Sequence, residues 1–68
     1  MISDIKAKLY KTAISKSPCL YFKEGDVVAV SNPWRSSSGV LWFEINESQH
    51  GKNPKVVYPE HLLTDFVL

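Results

Sequence analysis

The side chains able to do chemistry in this chain are few and scattered. His50 and His61 are the only histidines, and neither has a cysteine or a carboxylate at metal-ligand spacing. Glu47 and His50 together would offer a proton acceptor and donor, but no nucleophile stands beside them. Ser36, Ser37 and Ser38 lack the glycine-flanked turn that exposes a catalytic serine. Gly25, Gly39 and Gly51 fall in three separate turns rather than in one phosphate-cradling loop. Cys19 is the single cysteine, so no internal disulfide can form, and it reads as a small buried hydrophobe rather than a reactive thiol. The expectation is a protein that is not an enzyme, with no metal and no cofactor.

The residues that do suggest work are aromatic and cationic. Trp42 lies in VLWFEI, where Leu41, Phe43 and Ile45 take the inward phase and Val40, Trp42 and Glu44 the outward one. An outward Trp offers a large area with few rotamers to freeze, which suits an interface anchor. Trp34 and Arg35 lie before it in a serine-rich stretch, and Tyr10, Tyr21 and Tyr58 are expected to join Trp42 in a surface aromatic set. The candidate protein-binding residues are therefore Trp42, Trp34, Arg35, Tyr10 and Tyr58. Lys6, Lys8, Lys11, Lys16 and Lys23 form a run uninterrupted by acids, an alternative nucleic-acid-binding face. The net charge of only +1 opposes that alternative, because phosphate neutralisation dominates such affinity.

Sixty-eight residues leave room for one domain, residues 1–68, burying roughly 60% of its unfolded surface. A hydrophobic content of 44% and a charged content of 22% exclude a disordered chain. The N-terminus lacks the apolar stretch of a secretory signal, and no apolar run approaches membrane-spanning length. A cytoplasmic location is expected.

Strands are expected from the alternation in KAKLYKTAI (residues 6–14), with Ala7, Leu9 and Ile14 inward, although its Ala, Lys and Leu also suit a short helix. VVAV (27–30), VLWFEI (40–45), KVVY (55–58) and TDFVL (64–68) supply the others. Residues 31–39 and 46–54 read as polar loops, and Pro59 with the three residues after it reads as one helical turn. Five short strands with short connections and no long helix imply an all-β sandwich or barrel, and the chain is too short for a two-sheet sandwich.

The order of segments resembles the SH3-like small β-barrel class. FKEGDVVAV is similar to its aromatic, charged Gly-Asp turn and β-branched strand; VLWFEI to its central aromatic strand; VVYPEHLLTDF to its closing strand, Pro, helical turn and last strand. The resemblance covers most of residues 7–68 and implies a single SH3-like barrel of about five strands. Within the class, peptide-binding SH3 domains dock proline-rich segments between aromatics. Trp42 and Pro59 match that groove, whereas Leu62 stands in place of its tyrosine and the lysine-bearing SKSPC replaces its acidic loop. Residues 42–63 are also loosely similar to the type II dihydrofolate reductases, tetramers built around one pore. There Lys55-Val56-Val57-Tyr58 aligns with the pore strand, and Val56 replaces its glutamine. The resulting expectation is a stand-alone, non-enzymatic interaction module, a regulator, inhibitor or subunit, that binds one protein partner through exposed aromatics.

Overall fold

Local capping decides the start of the chain. A computed structural model describes residues 2–68. Ser3 accepts the amide hydrogen of Lys6 and Asp4 sits in the first turn, so a one-turn helix α1 forms over Asp4–Ala7. The strand expected over residues 6–14 is thereby shortened to β1, Thr12–Ser15. Ala7 is buried as expected. Leu9 is 56% exposed, because the helical turn rotates it off the strand phase, and in β1 Ala13 and Ser15 face inward rather than Ile14.

The remaining elements are β2 (Val27–Arg35), β3 (Leu41–Ser48), β4 (Gly51–Pro59), a 3-10 turn η1 (Glu60–Leu62) and β5 (Leu63–Val67). All neighbouring strands are antiparallel, in the order β4-β3-β2-β1-β5. The domain is thus all-β, with five strands and, besides the short α1, the one helical turn after Pro59 that the sequence implies.

Two stretches read as loops are largely strand. Pro33 does not end β2; it sits within an irregular stretch of the β2–β3 ladder, where a missing amide hydrogen is tolerated. The true connection is residues 36–40, closed by the Ser36 amide donating to the Val40 carbonyl at 2.9 Å. Likewise β3 and β4 meet across Gln49 and His50 alone, with Gly51 at φ 117° completing the reversal. The amino-terminal half of β4 escapes a hydrophobicity-based reading because it is an exposed edge bearing Lys52, Pro54 and Lys55. Such residues suppress edge-to-edge pairing.

The sheet curls on itself. Phe43 of β3 and Phe66 of β5 are separated by two intervening strands, yet their ring centroids lie 5.2 Å apart. Phe43, Ile45 and Val28 are fully buried, joined by Phe22, Val30, Leu41, Tyr58 and Leu63. Register shifts on β2 and β3 mark the bends that permit this closure.

Candidate functional site

The face opposite the core is built by the β2–β3 hairpin. On β3 the inward phase of Leu41, Phe43 and Ile45 leaves Trp42 and Glu44 outside and half-buried. On β2 strict alternation from Val28 and Val30 would turn Trp34 inward. A bulge intervenes between Ser31 and Trp34, with Asn32 at φ 44°, and reverses the phase. Trp34 therefore emerges on the outer face, directly across the ladder from Trp42. The two indoles stack at 5.9 Å between centroids and 11° between planes, and Trp34 remains 44% exposed. On the other side of Trp42 lies its β4 partner Pro59.

Beside Trp34 an open groove of about 500 Å³ is lined by Lys8, Asn32, Pro33, Trp34 and Glu44. Glu44 is engaged at both oxygens: the Asn32 amide donates to it at 3.0 Å, and the Lys55 ammonium lies 3.8 Å away. Lys8 enters no ion pair among the described residues.

Arg35 does not extend this face as a free neighbour of Trp34. Its guanidinium donates to the Asp4 carboxylate at 2.6 and 3.1 Å, to the Gly39 carbonyl at 2.9 Å and to the Ile2 carbonyl at 3.4 Å. It ties α1 to the β2–β3 turn. The Arg35 hydrogen bond holds the Asp4 carboxyl below its ordinary value, and Asp4 in turn raises Arg35.

The tyrosines divide three ways, so the expected surface set with Trp42 does not form. Tyr58 is buried, because β4 pairs it with inward-facing Phe43. Its ring packs on Phe22 at 5.4 Å, its hydroxyl donates to the Ser17 carbonyl at 2.9 Å, and burial followed by the nearby Cys19 pushes its pKa up. The tyrosine aligned with the reductase pore strand is thus a core residue here. Tyr10 leans on Phe66 at 5.0 Å. Tyr21 is exposed in the loop before β2, next to Leu20, which is 93% exposed.

All five lysines of the basic run are exposed, but they do not line one surface continuously. Lys6, Lys8 and Lys11 precede β1, whereas Lys16 and Lys23 lie beyond its far end. His50, in the β3–β4 turn, sits with its Nε2 2.8 Å from the Asp26 carboxylate. The Lys23 amide, donating at 2.8 Å, and His50 together hold Asp26 below its ordinary pKa. Cys19 is partly covered, its sulfur accepting the Tyr21 amide hydrogen at 3.3 Å. No group of three or more His, Cys, Asp and Glu side chains able to hold a metal occurs among the described residues. Nor is any described helix long and apolar enough to cross a membrane.

Residue spacing alone carried one unread signal of this face. Trp34 and Trp42 are equidistant from Ser38, so a hairpin turning at Ser38 opposes them. No protein-family model, no curated protein and no solved structure matches the chain.

Proposed function

We propose that this domain is an SH3-like small barrel acting as a non-enzymatic interaction module, docking one protein partner through the stacked Trp34–Trp42 face. The meander order β4-β3-β2-β1-β5 and the 3-10 turn before β5 support the barrel reading. One observation carries the functional reading: a bulge in β2 turns Trp34 out of the core phase and stacks it, half exposed, on Trp42. A chain that gained only stability from this Trp would bury it with Val28 and Val30, since an inward Trp removes far more apolar area from water. A rigid, paired indole flanked by an open groove is the arrangement that concentrates binding energy in interfaces.

The test is affinity capture from the native cell with the wild-type domain, Trp34→Ala and Leu20→Ala. Leu20 is the control because it is the most exposed apolar side chain of the loop before β2. The reading expects one saturable protein partner, an affinity loss of roughly 30-fold or more for Trp34→Ala, and little change for Leu20→Ala. Capture that Trp34→Ala leaves intact refutes it.

A further inference from the structure

Resting on that reading, we infer that the groove beside Trp34 takes a peptide segment in which a carboxylate neighbours an apolar or aromatic side chain. The charge inventory points there. Of the ionised groups lining the groove, Glu44 is held by Asn32 and faces Lys55, while Asp4, one turn before Lys8, is held by Arg35 at 2.6 Å and feels Lys8 only as a weaker charge through space. Lys8 alone lines the groove without an ion pair among the described residues. The same groove is lined by Pro33 and by the exposed indole of Trp34. A ligand matching both features sets an apolar side chain against the indole and reaches Lys8 with an anion. A basic segment would instead meet Lys8 and find Glu44 already occupied.

A nucleic-acid strand offers the same pairing of flat ring and anion, but the surroundings favour the peptide. A polyphosphate backbone needs several cations along its track. Here one lysine lines the groove, Glu44 forms part of its wall, and Lys16 and Lys23 lie at the other end of β1.

The experiment is an NMR titration of the full ¹⁵N-labelled chain with four probes, reading the two indole N–H signals and the backbone amides. The probes are acetyl-Gly-Glu-Phe-Glu-Gly-amide, its Gln and Lys counterparts, and an oligothymidylate of equal length. The expected result is millimolar or tighter binding of the acidic peptide at the Trp34 indole, about 2- to 5-fold tighter than the Gln peptide, with the Lys peptide weakest. Lys8→Gln should abolish that preference and Lys8→Glu should reverse it, while both keep the wild-type spectrum elsewhere. High salt should shrink the preference toward unity.

Equal affinity for the acidic and Gln peptides overturns the inference. So does preference for the Lys peptide, no binding by about 5 mM, or shifts centred on residues 19–23. Tighter binding of the oligothymidylate at the same indole overturns it in favour of nucleic acid. Failure here leaves Trp34-dependent capture of a protein standing, and removes only the partner chemistry. Capture that survives Trp34→Ala overturns the docking reading itself, whatever the peptides do.

Discussion

Removing the two stacked indoles singly and together separates a surface kept for recognition from one kept for stability. Trp34 is 44% exposed, so Trp34→Ala forfeits only part of the ~3–5 kcal/mol that truncating a fully buried Trp costs. It stacks on the near-parallel ring of Trp42 at 5.9 Å, and such pairs contribute about 0.5–1.5 kcal/mol beyond area burial. A total near 1–2 kcal/mol follows. Trp42 also adjoins Pro59 across the ladder, so Trp42→Ala should cost somewhat more. The double variant should fall short of the sum by the stacking energy, about 0.5–1.5 kcal/mol. A domain of 68 residues has about 3–10 kcal/mol to lose, so each single variant should fold and the double variant lies nearest the limit. Urea denaturation at fixed pH gives the cycle, and thermal melts should drop by about 4–8 °C per kcal/mol. If Trp34→Ala destabilises as much as Phe43→Ala, the indole is a core residue and the reasoning fails. Strict additivity would show that the stack holds no energy in solution.

Phe43→Ala, which empties a fully buried site against Phe66, should cost about 3–5 kcal/mol and leave the domain marginal or unfolded by circular dichroism. Arg35→Ala should raise hydrogen exchange across residues 2–9, because α1 loses its tie to the β2–β3 turn, while β3 amides stay protected. Asp26, whose folded pKa is depressed below the ordinary 3.8, contributes stability that is present above that value and lost as pH falls through the folded one. Asp26→Asn should therefore lower the urea midpoint at neutral pH and flatten its fall as pH drops below the ordinary 3.8. Tyr58 shows the opposite sign: its raised pKa gives stability that is full below the ordinary 10.0 and lost as pH rises through the folded value. Tyr58→Phe should remove that alkaline loss and cost about 0.5–1.5 kcal/mol at neutral pH, the net value of the hydroxyl's bond to Ser17.

Legibility in the sequence followed burial. Leu41, Phe43 and Ile45 announce their phase because β3 has one dry face and one wetter one, whereas VVAV announces only a strand and the inward phase of Val28 and Val30 emerges in the structure. Pro59 marks η1 by its missing donor. Three features resisted. The first half of β4 is an edge, so its strand state is set by pairing with β3 rather than by its own polar residues. Ser3 and Asp4 do carry a capping signal, but KAKLYK alternates too, and the cap with the Arg35 clamp decides the competition. The bulge at Asn32 is a backbone event that flips Trp34 without a change in composition, so Trp34 reads as a loop residue until hairpin register is considered. Tyr58 failed as a surface candidate for a related reason: its direction is fixed by the residue it opposes, Phe43.

Adding the captured partner to the ¹⁵N-labelled domain and following its NMR spectrum gives the most direct check on the interaction face. Broadening or shifts should begin at the indole N–H signals of Trp34 and Trp42 and at the amides of residues 31–35 and 41–44. The loop carrying Leu20 and Tyr21 should stay unperturbed. A footprint on that loop, with both indole signals unmoved, would contradict the account.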